Sequence, residues 1–597
     1  MKPAFRVAPY LRRTFETIVF TTTSIGLTQV SSADWRDEVG LTRLLQLGDT
    51  ELPTSVSDGV TQVEAPEGTV YSPDATLARF TGKTFTYPDG GNGAAGGHAT
   101  NVATVFYGNP QGVLPGAMAV RSYNVNNWMG NASLHRTGFA APEVEPSAVQ
   151  NHSWVALSDG ALNATLCEEV NRRLDFAINR DGFSCVVGVN NGTSTTLPFL
   201  LCQSYHTISV GLTNGVHSAG FTTLDGNGRI KPDIVTPIDA TSFATPMVSG
   251  AAGLLHQRLT QAPYSLAGAD LPRVTKALLL ATATKDLFPS WANTAARPLD
   301  IRYGAGQLNI HHAWQALRGG KLAASASTAH PSRGWASESI PALGSRTWFI
   351  TVPTGAVPTP FSAALTWHRN VTNTSVIGFG SLVYTLPNLN LRLHAASGFT
   401  VGAQIAESTS AVDNVELVHQ AALPAGTYAL VVENTAATAT PAALAWHSLP
   451  AVTAAATVAT AREIDGSPGV VTITRTGDTG LPLVVPITLS GTAVSGSDYS
   501  PLPSSVTIPA GSASTTLTIA PVADSLARGS RTLAFAIGAD FAFVRDPAQA
   551  AVVTLEDKPF DAWRFANFDT GALADPGISS ETADPDHDTL PNLIEYA

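Results

Sequence analysis

The sequence has little charge, and basic residues are in the minority. Charged side chains make up 13% of the 597 residues, and 34 Lys and Arg stand against 46 Asp and Glu, for a formal net charge of −12. A protein that binds nucleic acid needs a basic face for the phosphates. We therefore expect no nucleic-acid partner.

Long apolar runs are also missing, and cysteine is scarce. No run of about 18 apolar residues is present to span a bilayer, so no integral membrane segment is predicted. Hydrophobic residues nevertheless reach 44%, too many for a disordered chain. Cys167, Cys185 and Cys202 show no CxxC spacing, which argues against a zinc site. Three cysteines could still form one disulfide and leave one free thiol, and the sequence does not decide this.

The first 30 residues make a poor export signal. Basic residues precede the apolar stretch Thr17–Leu27, but no clear small-residue cleavage site follows it. We expect a mis-assigned or truncated start, so export has to be argued from other features.

What is present is a chain long enough for two to four domains. Before about residue 320, strand-like runs alternate with helical patterns, which predicts an α/β domain with a parallel sheet. After it, alternating Thr, Val, Ile and Leu runs broken by Gly and Pro predict two all-β sandwich domains. The Ala/Thr/Pro-rich stretches 436–442 and 452–461 are expected to be linkers or domain edges. The predicted boundaries are 1–55 for a poorly defined N-terminal segment, 56–320 for the α/β domain, 321–450 and 451–557 for the β domains, and 558–597 for an acidic tail.

Ser242 begins a helical pattern with apolar positions that would form one buried stripe. Free N–H groups and the helix dipole at such a position favour an alkoxide and an oxyanion. A serine before a helix more commonly only caps it, so the surrounding residues decide between the two interpretations.

Those residues carry a family resemblance. Lys231-Pro-Asp-Ile-Val followed by Thr241-Ser-Phe-Ala-Thr-Pro-Met-Val-Ser-Gly resembles the nucleophile motif of the subtilisin-like serine peptidases, the subtilases, and the resemblance covers roughly residues 55–320. It implies an acid, a histidine and a serine in that chain order. Ser242 would be the nucleophile, and His98, in His-Ala-Thr-Asn-Val-Ala, would be the general base.

The acid departs from the family pattern. Where subtilases have an aspartate at the end of a buried strand, the strand Gly59–Ala65 has Glu64. A glutamate offers the same two acceptor oxygens one methylene further from the backbone. Glu67 is the alternative, and loss of a functional acid is the third reading.

The resemblance also implies an oxyanion donor and a substrate strand. In Cys185-Val-Val-Gly-Val-Asn-Asn-Gly192, alignment on the glycine selects Asn190 as the donor, and Asn191 stays open. Ser153, Trp154 and Val155 would pair with an extended peptide through the backbone. Ala240 replaces the glycine before Thr-Ser, and the preceding loop is cut to Ile238-Asp239, so no P1 preference is predicted.

The two β regions each resemble a known domain, and the second of them raises the question of calcium. Residues 321–450 resemble the jelly-roll domains of secreted bacterial peptidases. Residues 451–557 resemble a Calx-β domain with acids at Glu463, Asp498, Asp524 and Asp557, but Arg528 and Arg531 stand where two further acids are expected, so weak or no calcium affinity is predicted there.

In the tail, acids are spaced as in an EF-hand-like or thrombospondin-type-3-like loop, with Thr589 in place of the turn glycine. This spacing predicts a structural calcium ion bound by Asp584, Asp586, Asp588 and Glu595.

These features predict a secreted or surface-bound bacterial serine endopeptidase that acts on polypeptides and needs no cofactor for catalysis. The alternative is a catalytically inactive subtilase-like surface protein whose β modules bind partners or glycans.

Overall fold

The computed structural model describes residues 34–91, 93–136, 139–156, 163–355 and 357–597. The signal-like stretch in the first 30 residues lies outside them. The described chain forms one α/β unit, two β units and a short helical tail.

A parallel seven-stranded sheet is the centre of the first unit, in the order β2-β3-β1-β4-β5-β6-β9. Strands β1, β4, β5, β6 and β9 are buried at every position, as expected for a sheet covered by helices on both faces. The predicted α/β class is confirmed. The strands of this unit are β1 Val60–Glu64, β2 Thr84–Thr86, β3 Ala119–Asn124, β4 Val149–His152, β5 Ser184–Gly188, β6 Ile208–Leu212, β7 Gly220–Phe221, β8 Ile230–Lys231 and β9 Ile234–Thr236.

The helices of this unit include short turns as well as long buried elements. They are α1 Trp35–Glu38, α2 Leu41–Gln46, α3 Gly97–Tyr107, α4 Val125–Asn127, α5 Ala164–Asp181, α6 Thr241–Thr260, α7 Asp270–Ala281 and α8 Ile310–Arg318, with a 3₁₀ turn at Ala78–Phe80 and a π turn at Trp128–Ala132.

Helix α6 is buried almost all round. The sequence pattern predicts a single apolar stripe, but residues 243–259 are all buried because α3, α7 and the strands β4, β5 and β6 pack on different faces. Gly250 allows this close approach, since a Cβ there would lie 2.4 Å from the Val113 Cβ. The helix is thereby held in place, and its first turn carries Ser242.

The second unit is a sandwich of a five-stranded sheet, β10-β12-β19-β16-β17, and a four-stranded sheet, β11-β20-β13-β18. Its inner core includes Trp348, Trp367 and Trp446. The outer face of the four-stranded sheet packs on helix α7, and residues such as Ala364 and Ala443 belong to the same hydrophobic cluster as Leu278. Its strands are β10 Ala329–Pro331, β11 Gly334–Ile340, β12 Ser345–Val352, β13 Thr359–Trp367, β14 Asn370–Asn373, β15 Leu382–Thr385, β16 Leu389–Ser397, β17 Thr400–Ser408, β18 Val415–Leu423, β19 Gly426–Asn434 and β20 Thr440–Ser448.

The third unit also has two sheets, β26-β23-β21-β28 and β22-β29-β27-β24-β25, around a core of its own. The all-β class of both C-terminal regions is confirmed. Its strands are β21 Ala451–Val458, β22 Thr460–Arg462, β23 Gly469–Arg475, β24 Leu483–Gly491, β25 Ser505–Ile508, β26 Ser514–Ile519, β27 Arg531–Ile537, β28 Val544–Arg545 and β29 Ala550–Glu556.

The stretches expected to be linkers or domain edges flank the two residues that separate the last strand of the second unit from the first strand of the third. Residues 436–439 form a turn, 440–442 begin β20, and 452–461 form most of β21 and the start of β22. Ala442, Ala454 and Ala461 in them are buried, where small residues fit between closely packed layers. The stretches therefore lie at a domain edge and consist mostly of strand.

The tail has four short helices, α9 Pro559–Asn567, α10 Thr570–Ala574, α11 Pro576–Ser579 and α12 Asn592–Tyr596. In the described part of the chain, no helix is both long and apolar enough to cross a membrane. Cys167, Cys185 and Cys202 are buried free thiols, so the disulfide left open by the sequence is not formed.

Candidate active site

Glu64 and His98 meet at the carboxyl edge of the parallel sheet. Glu64 is the last residue of β1 and is fully buried, while His98 is the second residue of α3. Glu64 Oε2 lies 3.0 Å from His98 Nδ1. The side chains predicted as acid and base are thus brought together, and the longer glutamate reaches the imidazole.

Gln62 holds the other oxygen of Glu64, and Tyr107 holds Gln62 in turn. Gln62 Nε2 donates to Glu64 Oε1 at 2.8 Å and to the carbonyl of Ala99 at 2.9 Å. Tyr107 donates its hydroxyl to Gln62 Oε1 at 2.5 Å. Sequence reasoning missed both residues, although Gln62 and Glu64 are two positions apart on one strand and so share a face.

The competing acid, Glu67, contacts the backbone of His98 and not its ring. Glu67 Oε2 accepts from the His98 N–H at 3.2 Å, and Glu67 is only half-buried. The two carboxylates therefore act on different parts of the same histidine.

Three effects act on the His98 pKa. Burial disfavours the charged ring, but the charge and hydrogen bond of Glu64, together with the charge of Glu67, outweigh it, and the pKa of His98 is raised above its ordinary value. A base with a raised pKa accepts a proton more readily.

Ser242 lies in the first turn of α6, directly before Phe243. The His98 ring stacks on Phe243, with centroids 6.1 Å apart. No hydrogen bond joins the Ser242 hydroxyl to His98 among the described residues, and such bonds are often long without substrate. The N-cap Ala240 has φ −140° and ψ 138°, extended backbone that any residue adopts, so replacing the family's glycine leaves the helix start intact.

The two asparagines after β5 differ in what they contact. Asn191 Oδ1 accepts from the Thr241 N–H at 2.9 Å and from the Thr241 hydroxyl at 3.1 Å, which turns its amide nitrogen away from these donors. Asn190 instead pairs through its backbone with Ser218. The geometry at the helix start therefore favours Asn191 over Asn190, the residue that alignment on Gly192 selected.

The predicted substrate segment follows the inner strand β4. Ser153 donates to the Ser242 carbonyl at 2.8 Å and accepts from Asn151 at 2.9 Å. Trp154 donates to His152 at 3.2 Å and lies in the core. The side chains of Ser153 and Trp154 are thus committed to the fold, while Val155 is half-buried. Any role in peptide binding falls to the backbone of this segment.

Three of the four acids of the Calx-β-like region, Asp498, Asp524 and Asp557, are paired with arginines, whereas Glu463 Oε2 is buried without a hydrogen-bond partner. Arg528 contacts Asp498 and Asp524, while Arg531 lies 2.9 Å from Asp498 and 3.2 Å from Asp557. These guanidinium groups lie where the carboxylates would otherwise face a cation, and a positive charge opposes calcium there.

The acids of the tail have no such counter-charge among the contacts of the described chain. Ligand oxygens of Asp584, Asp586 and Asp588 lie within 4.8 Å of one another. Glu595, the fourth predicted ligand, is not in this group, although desolvation and the charges of Asp586, Asp588 and Asp584 raise the pKa of its carboxyl. Oxygen donors of this kind fit Ca²⁺.

A seven-stranded parallel sheet of this kind is typical of the α/β domain of subtilisin-like serine peptidases. The family model described as the subtilase family, Peptidase S8, matches residues 65–306, so the chain carries a peptidase domain of that family. His98 and Ser242 lie within the match, and Glu64 lies directly before it.

Solved structures with similarity to the chain include several proteases. The prenylagaramide maturation protease PagA is 19% identical, with 46% of this chain and 97% of that chain covered and a TM-score of 0.30. A lanthipeptide protease is 16% identical, with coverages of 47% and 94% and a TM-score of 0.33. The apo-form Calx CBD1 domain is 18% identical, with coverages of 18% and 98% and a TM-score of 0.17. No curated protein matches the chain.

Proposed function

We propose that the protein is an exported serine endopeptidase that cleaves polypeptides through Glu64, His98 and Ser242. The observation that carries this proposal is the 3.0 Å contact between Glu64 and His98, whose ring stacks on Phe243 in the first turn of the helix that carries Ser242. The subtilase-family match over residues 65–306 supports the same reaction class.

In the proposed mechanism, Ser242 Oγ attacks the peptide carbonyl while His98 Nε2 takes the hydroxyl proton. Glu64 keeps the Nδ1–H tautomer in place and stabilises the imidazolium. The imidazolium then gives the proton to the leaving amine, and a water molecule hydrolyses the acyl-enzyme by the same route.

The oxyanion site is assigned to Asn191 and to the backbone N–H of Ser242, which revises the choice of Asn190. The Ser242 N–H is in the first turn of α6 and has no acceptor among the described residues, as helix geometry requires. The Asn191 amide is fixed beside it through Thr241. Two preorganised donors at this point would stabilise the tetrahedral intermediate.

The substrate is proposed to be an extended peptide lying along Ser153–Val155. Recognition through the backbone there reads main chain more than side chain. We therefore expect broad sequence tolerance next to the scissile bond.

A fluorophosphonate probe tests the proposal directly. The full chain should be labelled at neutral pH, Ser242→Ala should not be labelled, and the matched control Ser327→Ala, at an exposed serine of the second unit, should be labelled like the native protein. If the folded native protein is not labelled, the proposal of a peptidase is refuted and the alternative, a catalytically inactive surface protein, is favoured.

The assignment of the acid is tested by turnover of a peptide substrate. Glu64→Ala should lower kcat by several orders of magnitude because the histidine loses its orienting partner. Glu67→Ala should lower it far less. The reverse order would refute Glu64.

We also propose that Asp584, Asp586, Asp588 and Glu595 bind a structural calcium ion, in keeping with a protein that works outside the cell. Calorimetric titration of the full chain with Ca²⁺ should give one site that Asp586→Asn weakens and that Asp465→Asn, at an exposed acid of the third unit, leaves intact. Absence of heat in the native protein would remove calcium from the proposal.

A further inference from the structure

A cavity lies where the three units meet. Its volume is about 460 Å³, and it is lined by residues 281–293 of the first unit, by strands β13, β18 and β20 of the second, and by residues 540–544 of the third. None of the residues proposed for catalysis lines it. We call it the junction cavity.

One cation faces this cavity without an acidic partner. Lys285 is 5% exposed, and its Nζ donates to the carbonyl of Ala283 at 2.9 Å. No ion pair joins Lys285 to a carboxylate of the described chain, and only the charge of the exposed Asp286 acts on it. An ammonium has three N–H donors, so two are left for another acceptor. Burying a cation this way is costly unless something pairs with it.

A second polar side chain at the cavity has an atom with no partner at all. His447, on β20, is 6% exposed and lines the cavity, and its Nε2 is buried with no hydrogen-bond partner. His312 stacks on it, with centroids 4.8 Å apart, but binds the carbonyl of Phe541 through its own Nε2. Native proteins rarely leave such atoms unsatisfied, so we expect water or a ligand atom to pair with this nitrogen.

The remaining walls are aromatic, and the acids in them are accounted for. Phe288, Trp291, Phe541 and Phe543 line the cavity, and Lys285 Nζ lies 5.6 Å from the Trp291 ring centroid. Among the lining acids, Asp540 pairs with Arg43 at 2.7 Å and Asp286 is exposed. An apolar enclosure with a few convergent polar atoms is the usual form of a small-molecule site, and this volume suits one.

We propose that the junction cavity binds a small aromatic carboxylate, with its anionic group against Lys285 and His447 and its ring among the aromatic side chains. The carboxylate would supply the counter-charge that the protein does not provide. Because all three units contribute walls, the bound molecule would also tie them together. This inference does not depend on the proposed peptidase activity.

The charge of Lys285 gives the site a pH dependence. Burial lowers the pKa of Lys285 to about 7, partly offset by the charge of Asp286. The other titratable groups facing the cavity are Asp286, Asp540, His312, His419 and His447. Burial lowers the pKa of His312 to about 4 and that of His419 to about 3, and that of His447 falls well below its ordinary value, so these rings are neutral near pH 7. Carboxylate affinity should therefore fall as the pH rises above about 7.

Calorimetric titration of the full chain with 2-naphthoate, and with the neutral 2-naphthylmethanol as a matched probe, tests the proposal. The native protein should bind the carboxylate at one site at least about tenfold more tightly than the alcohol near pH 6.5. This preference should shrink toward pH 9, while alcohol binding stays constant.

Lys285→Met should abolish the preference and keep the alcohol affinity, which also shows that the cavity is folded. The control Lys321→Met, at an exposed lysine, should behave like the native protein. Equal binding of the two probes by the native protein, binding of neither, or a preference that survives Lys285→Met would each overturn the proposal.

Discussion

Gln62 is the residue that compensates for a glutamate in place of the family's aspartate. A longer side chain has one more rotatable bond and loses more freedom when it is fixed. Gln62 removes that freedom by holding Glu64 Oε1, and Tyr107 holds Gln62 in turn. The arrangement makes Gln62 a positioning residue for the Glu64–His98 pair.

Replacing Gln62 should therefore lower kcat and leave KM nearly unchanged. Gln62→Leu keeps the volume but removes the donor, and we expect a loss of about 10- to 100-fold in kcat, within the range for outer-shell hydrogen bonds. Gln62→Glu, protonated or not, should rescue less than the native residue because it cannot serve both Glu64 and Ala99. A rise in KM with unchanged kcat would contradict the positioning role.

Glu67 offers a test of pH dependence at the same histidine. Its charge raises the pKa of His98, and the base must be neutral to accept a proton. Glu67→Gln keeps an acceptor for the His98 N–H but removes the charge, so the acidic limb of the kcat/KM profile should move to lower pH. Glu143→Gln, which pairs with His135, is the control and should move nothing. A shift to higher pH would rule out this electrostatic role.

The positions of Glu64 and His98 could be predicted because motif and burial agree there. A carboxylate at the end of a fully buried strand is rare unless it has a partner or a function, so Glu64 stands out. The choice between Asn190 and Asn191 could not be predicted from the sequence, because a one-residue offset at a turn decides which side chain reaches helix α6. That offset depends on pairing with Ser218, a contact 28 residues away.

At the level of elements, the position of Ser242 depends on how tightly helix α6 packs against its neighbours. A Cβ at Gly250 would lie 2.4 Å from the Val113 Cβ, and one at Gly253 would lie 2.4 Å from a methyl of Leu114. Such contacts require the helix or its neighbour to move.

Gly250→Ala should destabilise the protein in spite of alanine's higher helix propensity. The propensity gain is about 1 kcal/mol, whereas forced overpacking costs about 1–3 kcal/mol, and here a Cβ meets another Cβ. Urea denaturation should show a lower midpoint. Gly130→Ala, where an added Cβ meets nothing within 4 Å, should be neutral or better. Equal midpoints for native protein and Gly250→Ala would show that the helix can shift freely.

Strand and helix types were predictable from periodicity, and the stretches expected to be linkers or domain edges show where composition leaves the structure open. Alanine and threonine in 436–442 and 452–461 carry little hydrophobic signal, so the pattern leaves a linker and a domain edge equally open. In the fold they pack between sheets, where their small size is an advantage, and only two residues separate β20 from β21. Long-range packing of this kind leaves no local signal.

For the molecule as a whole, the first two units are joined by buried charge as well as by apolar packing. Arg369 follows β13, is completely buried, and lies 2.6 Å from Asp175 and 2.8 Å from Asp225 of the first unit. Although burial acts against it, the charges of His206 and Arg369 help to lower the pKa of Asp175 to about 2. The pair is thus ionised on both sides of the interface.

Arg369→Met should lower the free energy of unfolding by about 3–5 kcal/mol, since it leaves the buried carboxylate of Asp175 without its arginine, while Asp225 keeps its pair with Arg172. The control Arg392→Met removes a partly exposed pair with Glu433 and should cost about 1 kcal/mol or less. Chemical denaturation of the full chain compares the two. Similar losses for both variants would show that the interface does not rely on Arg369.

The packing of α7 against β13 and β20 limits how this protein can be divided. Leu278 on the helix and Ala443 on the sheet share one core. A chain cut near residue 320 would therefore expose the hydrophobic face of α7 to water. The first unit alone would therefore tend to aggregate during expression, and it would be a poor choice for producing the peptidase domain. In evolution, the same joint would favour inheriting the two units together over exchanging them separately.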